Sequence, residues 1–454
     1  MKQRLSKDLT VGSVSGTMIR FAAPLVLSGM LQTIYNLTDM VIVGQTVGKL
    51  GLGAVSIGSD ILHFLMFIAL GFSNAGQVVI SQFTGAGMKR EVRRTIGTLF
   101  TLLMSSAIVL TVTGLLLQNQ ILSWVNTPQE AYQQTKVYFT ISLAGLVFIY
   151  GYNVISAILR GMGNSRHPFY FVAISAVLNV ILDLLFVVVL HWELTGAALA
   201  TVLSQGVSFA FAAAFLYRNR RSLGFAFRMK DFTFDKRALA PLLKLGIPMI
   251  IQSASISFSM LFVNSWINSY GVIATAMTGI GNKLSSLVNV INIAFGTAGS
   301  AMIGQCLGAE KYARIPKVLK VSFSLNGSIA GMAMLTVILF PSAVFALFTR
   351  DADVLEMSRT YIPVLLLLFG SGALRPPMSS LINGSGNFHL NLAVAILDGV
   401  LMRIGLSLIL GLAAGFGVYG FWYGHALAGF TPFVIGAWYF LFGNWKTRKY
   451  IINK

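Results

Sequence analysis

Ala75-Gly-Gln-Val-Val-Ile-Ser-Gln-Phe-Thr-Gly-Ala86 is written a second time 223 residues later, as Ala298-Gly-Ser-Ala-Met-Ile-Gly-Gln-Cys-Leu-Gly-Ala309, with six of the twelve positions identical. Gly161-Met-Gly-Asn164 returns as Gly384-Ser-Gly-Asn387 at the same offset. Arg20 and Pro24 return as Lys244 and Pro248 at an offset of 224. Three separate matches at one spacing mark an internal duplication of about half the chain. Each copy can then be read by its hydropathy.

Apolar runs long enough to cross a bilayer lie near 18–43, 54–81, 95–117, 134–158, 168–190 and 194–216 in the first copy. The second copy has them near 241–267, 272–303, 318–340, 358–382, 390–413 and 417–442. An all-α integral membrane fold of twelve transmembrane helices in two six-helix bundles is therefore predicted. Six spans per copy insert both copies the same way, which is a parallel repeat about a pseudo-two-fold axis along the membrane normal. The expected organisation is an N-terminal lobe over 1–216, a basic cytoplasmic linker over 217–240 and a C-terminal lobe over 241–454. Two such bundles facing each other would leave a central cleft, opened to each side in turn. That suits a transporter better than a channel.

Composition agrees. Of the 454 residues, 56% are hydrophobic and only 10% charged, against about 25% charged in soluble chains. The net charge of +19 would suggest nucleic acid in a soluble protein, but here the bases alternate from loop to loop. One side holds the N-terminus (Lys2, Arg4, Lys7), Lys89, Arg90, Arg93, Arg94, Arg160, Arg166, the seven bases of 217–240 and the C-terminus (Lys446, Arg448, Lys449, Lys454). The other side holds Lys49, Lys136, Arg350 and Arg359. This positive-inside pattern puts both termini in the cytoplasm of a multi-pass inner-membrane protein and leaves no nucleic-acid partner to invoke. The first apolar run is too long for a cleaved signal segment, so it is read as a retained helix. The single cysteine, Cys306, allows no intrachain disulfide.

Ionisable groups inside spans are costly and mark function. They are Asp39, Asp60, Asp183, Lys283, Arg375, Asp398 and Arg403. Counted from the span ends, Asp39 and Asp183 fall in the outer half, and Asn179 lies one turn below Asp183 on the same face. Thr201 of the sixth span reaches that layer. Asp39, Asp183, Asn179 and Thr201 are the candidate cation or proton site. Desolvation makes a carboxylate in an apolar cavity hard to ionise, so it can load a proton on one face and release it on the other. Oxygen ligands from Asp39, Asn179 and Asp183 would equally suit Na⁺. Arg375 and Asp398 share the inner half of the second copy, as a structural ion pair or a gate, and Arg403 has no partner set by spacing. Pro24 and Pro248 are candidate kinks, static or moving.

At this point the chain resembles the multidrug and toxic compound extrusion (MATE) family over almost its full length. The residues are Pro24 through Asp39-Met-Val-Ile-Val-Gly44, Gln82-Phe-Thr-Gly-Ala86 with Gln305-Cys-Leu-Gly-Ala309, Arg160-Gly-Met-Gly-Asn164, and Asn179 and Asp183 followed by Gly196-Ala-Ala-Leu-Ala-Thr201. The resemblance implies export of amphipathic, often cationic compounds in exchange for H⁺ or Na⁺, with a site on helices 1, 5 and 6. In the DinF-like branch the cation-site residues match Asp39, Asn179, Asp183 and Thr201. The NorM-like branch has an acidic residue in helix 7, and Pro241–Ile267 has none. That favours the DinF-like branch. His425, aligned with Thr201 by the repeat, is a weaker second-lobe candidate.

The alternative is a lipid-linked oligosaccharide flippase of the same broad superfamily, which would call for extra spans and a strongly cationic cavity. An enzyme is not expected. The five histidines are scattered without metal-ligand spacing, and there is no phosphate-cradling Gly loop followed by Lys. No cofactor is anticipated beyond the coupling ion. The partners expected are small amphipathic or cationic molecules and membrane lipid, and one chain carrying both lobes is expected to act as a monomer.

Overall fold

The computed structural model of the protein describes residues 6–223, 225 and 227–446. Among them every regular element is a helix. Eleven helices are long and apolar enough to cross a membrane, and a bent pair makes a twelfth span. The first six are α1 (Val14–Thr46), α2 (Gly48–Gly85), α3 (Lys89–Leu116), α4 (Gln129–Ala144 and Leu146–Gly161), α5 (Arg166–Asp183, prolonged through Leu184–Val189) and α6 (Glu193–Arg218). The second six are α7 (Lys236–Asn268), α8 (Val272–Gly308), α9 (Ile315–Leu339), α10 (Ala352–Ser385), α11 (Phe388–Ala413) and α12 (Gly417–Phe442). Each predicted apolar run corresponds to one of them. The terminal bases expected at Lys2, Arg4, Arg448, Lys449 and Lys454 lie outside the described residues.

The chain divides into two compact units. The first comprises 1–8, 23–84 and 88–246, and the second 9–22, 85–87 and 247–454. The division in α7 falls at Gly246, so the basic stretch before it belongs with the first unit. That stretch is docked on α3. The Thr98 hydroxyl donates to the Thr233 carbonyl (3.1 Å) and accepts from the Asp235 amide (3.3 Å). Arg94 pairs with Asp235 at 3.5 Å, and Phe100 meets the rings of Phe227 and Phe232 edge-on.

The duplication is visible in how each unit packs. Gly161 of α4 sits so close to α2 that a Cβ would meet the Gln77 carbonyl and Ile80 Cβ, both at 2.9 Å. Gly384 of α10 meets Ser300 and Ile303 of α8 in the same way, at 3.0 and 2.9 Å, and all three positions are displaced by 223. The bond from Asn164 N to the Leu159 carbonyl recurs from Asn387 N to Ile382. At the ends of α5 and α11 the backbone widens into π-helix, at Leu184–Val189 and Ile409–Ala413. There Trp192 N bonds the Phe186 carbonyl as Phe416 N bonds Leu410. Both copies solved the same packing problem with small residues, as membrane helix pairs commonly do. Gly384→Val should therefore cost about 1–3 kcal/mol by overpacking, read as a lower melting midpoint in detergent. Gly327→Ala, where nothing lies within 4 Å of the added Cβ, should leave that midpoint unchanged.

Two departures shape the interior. The fourth span is bent by 42° at Gly145, where a Cβ would strike Val202 of α6 at 2.6 Å. α11 carries an additional π segment, Leu397–Met402, that α5 lacks. α1 and α7 run as continuous helix through Pro24 and Pro248. Each proline removes one backbone donor, and the Ser28 hydroxyl donates to the Pro24 carbonyl at 2.8 Å. Large apolar side chains cover the outside of the spans, among them Leu335, Leu339, Leu441 and Phe442, as a bilayer requires.

Candidate functional site

In the first unit α5 and α6 form a close antiparallel pair. The π turn after Asp183 lets Phe186 back onto Gly196, where a Cβ would meet its backbone at 3.0 Å. With α6 drawn in at that point, Thr201 comes level with Asn179, and Asn179 Nδ2 donates to Thr201 Oγ1 at 3.4 Å. Asn179 and Asp183, four residues apart, share one helix face and are almost fully buried, at 2% and 0% exposure. Asp39 of α1 is near enough to interact electrostatically with Asp183. The four sequence candidates thus share one neighbourhood of the first unit. Asp60 and Lys283 are exposed on their helices.

The polar atoms there are conspicuously under-used. Both carboxylate oxygens of Asp183, Asp39 Oδ1 and Asn179 Oδ1 are buried without a hydrogen-bond partner. An unpaired charge in such a place costs several kcal/mol. A proton or a hard cation removes that cost, and carboxylate, amide and hydroxyl oxygens are the donors a hard cation takes. Among the described residues no group of three or more His, Cys, Asp or Glu could hold a metal ion.

Sequence reading overlooked the hydroxyls and amides that ring this pair. Tyr138 of α4 sits within electrostatic reach of Asp39, Asp183 and Tyr35, and its hydroxyl lies 3.3 Å from Ser59 Oγ. Tyr35, with Gln32 and Gln205 beside it, also neighbours Asp39. Tyr35 could have been found, since it precedes Asp39 by one helical turn. Tyr138, Ser59 and Gln205 come from other helices and carry no local mark. An apolar cluster of Ile42, Val43, Ala54, Val55, Val187, Leu194, Ala197 and Ala198 packs around Tyr138 and walls this neighbourhood.

In the second unit Asp398 is held between two guanidiniums. Arg375 Nη2 lies 2.9 Å from Oδ2, and Arg403 Nη2 lies 2.9 Å from Oδ1. Arg403 does have a partner, then, and the reason is the extra π segment. A helix whose bonds close five residues apart brings Asp398 and Arg403 onto one side, which α-helical spacing does not. Arg403 Nη1 also lies 3.2 Å from His425 Nδ1. A guanidinium against the ring makes His425 unsuited to a second cation site.

A family model described as MatE matches residues 24–185 and again 248–409, two copies displaced by the repeat offset. The probable multidrug resistance protein YoeA of Bacillus subtilis (strain 168) is 27% identical over 445 residues, covering 96% of this chain and 95% of its own. YpnP of the same strain, also a probable multidrug resistance protein, is 26% identical over 447 residues, covering 98% and 99%. The solved outward-facing structure of a multidrug resistance MATE family transporter superposes with a TM-score of 0.88 at 22% identity, over 99% of both chains. With its two spans of six helices, its duplicated packing and its buried carboxylates, this chain belongs to the MatE family of multi-pass membrane transporters.

Proposed function

We propose that the protein exports amphipathic, chiefly cationic drugs by secondary active exchange with H⁺ or Na⁺, through alternating access. The observation that carries this reading is the pair Asp39 and Asp183, with buried oxygens that no protein group satisfies. One ion or proton at this pair neutralises a costly charge, and its loss restores that charge. The occupancy of the pair is thus a lever on the conformation of α1, α5 and α6. Full-length multidrug relatives support the substrate class. They lend nothing to the flippase alternative. The lack of any acidic residue in α7 favours a single, first-unit coupling site of the DinF-like kind. The distribution of basic loops supports cytoplasmic termini.

The energy is adequate without a nucleotide. One charge crossing 100 mV yields about 2.3 kcal/mol, and a tenfold proton gradient adds about 1.4 kcal/mol. For an uncharged or zwitterionic drug the two terms together support a gradient of roughly 500-fold per proton, whereas one-for-one exchange with a monovalent cation moves no net charge and draws on the ion gradient alone, about tenfold for each tenfold of it.

The test is uptake of a fluorescent lipophilic cation into energised inverted vesicles, with and without Na⁺, for wild type and Asp39→Asn. Wild type is expected to accumulate the dye when ΔpH or a Na⁺ gradient is imposed. Asp39→Asn is expected to lose at least nine-tenths of that rate. Equal transport by the variant would remove Asp39 from the coupling site.

A further inference from the structure

The repeat that relates the two units also relates their polar centres, with the charge reversed. At an offset of 224, Asn179 corresponds to Arg403, Asp183 to Ser407, Thr201 to His425 and Asp39 to Val263. The contact between the first and third of these pairs survives: Asn179 meets Thr201 at 3.4 Å, and Arg403 meets His425 at 3.2 Å. The Asn179–Thr201 contact is kept while the two carboxylates give way to a hydroxyl and a valine, and the amide and the hydroxyl to a guanidinium and an imidazole. Arg375 and Asp398 are added beside them.

The resulting cluster is not neutral. Two guanidiniums share one carboxylate, and among the described residues no second carboxylate lies within 4 Å of either. Arg403 is 5% exposed and its Nε is buried without a partner. Arg375 uses one Nη on Asp398 and keeps 28% of its side chain exposed. A guanidinium within a span does not face acyl chains without a large penalty, so the open side of Arg375 calls for a polar partner. The adjoining turn of α10 is lined by another unused donor. Asn292 of α8 is 1% exposed with both amide atoms unpartnered, and its Nδ2 lies 3.1 Å from where a Cβ on Gly372 would stand. Gly372 is one turn before Arg375 on the same face of α10.

We infer that the second unit holds an anion site, formed by Arg375 and Arg403 around Asp398 with the Asn292 amide beside them, that binds the carboxylate of a zwitterionic amphipathic substrate. Asp398 orients both guanidiniums and neutralises one of them. The remaining positive charge and the free N–H groups of Arg375 present the planar fork that suits a carboxylate. The substrate class rests on the export reading above. The binding itself does not, since a purified chain needs no gradient to show it.

The experiment titrates Nε-dansyl-lysine and its methyl ester onto the purified full-length protein in detergent, following dansyl fluorescence. The two probes share the dansyl group and the α-ammonium and differ in the carboxylate. Wild type is expected to bind the acid at least tenfold more tightly than the ester. Arg375→Gln should bring that ratio to about one, and Arg375→Lys, which keeps the charge without the fork, should give an intermediate ratio. Equal affinity of the wild type for acid and ester overturns the proposal whatever the variants do. A preference that persists in a folded Arg375→Gln overturns it as well. Should the wild type accumulate no lipophilic cation under any imposed gradient while the acid preference holds, the export reading fails and the anion site stands.

Discussion

Asp183→Asn is expected to abolish gradient-driven efflux, by at least tenfold, while leaving the protein as stable as wild type or more so. The asparagine has the same shape, so packing against α6 and the close contact of Phe186 with Gly196 are undisturbed. What is lost is the ability to carry and release a proton, or to offer charge to Na⁺. What is gained is the removal of a buried carboxylate with neither oxygen paired. Replacing such a group commonly returns about 0.5–2 kcal/mol, the pattern of a site held for function at the expense of stability. The two readouts must therefore move in opposite directions. If efflux and melting midpoint fall together, Asp183 is a structural residue of the α5–α6 pair. If efflux persists, coupling resides elsewhere.

Asp398→Ala should do the opposite: it should damage the fold first. Asp398 is fully buried, and both of its oxygens face guanidiniums at 2.9 Å. Deleting it leaves Arg403 buried with no counter-charge. Breaking a buried ion pair from one side costs about 3–5 kcal/mol, which for a unit of this size lowers the melting midpoint by roughly 10 °C. Removing Arg403 as well, as Asp398→Leu with Arg403→Met, should recover most of the loss, because an apolar pair in place of an ionic one is often neutral. A single variant that melts with wild type would show that the clamp is hydrated and not a fixed part of α11. These two aspartates, both within spans and both preceded by Ile-Leu, thus make opposite predictions. The difference lies in what pairs with them: among the described residues no hydrogen-bond donor or cation for Asp183, two arginines for Asp398.

The sequence by itself determined the class of fold, because the bilayer admits few solutions. A helix in lipid must satisfy its own backbone, so apolar length alone locates each span, and the offset of 223–224 shows that six helices were used twice. It also singled out Asp39, Asn179, Asp183 and Thr201, since charge inside a span is expensive enough to be kept only for a purpose. Only the tertiary structure could say what surrounds them. Tyr138 reaches the carboxylates, and Gln205 reaches Tyr35, from helices that are remote in the chain. Arg403 finds Asp398 because α11 opens into a π turn there, and a departure of one residue per turn leaves no mark in hydropathy. Burial, which sequence spacing does not encode, separates a carboxylate left unpaired from one clamped by arginines, and the chemistry of the two units divides on that difference.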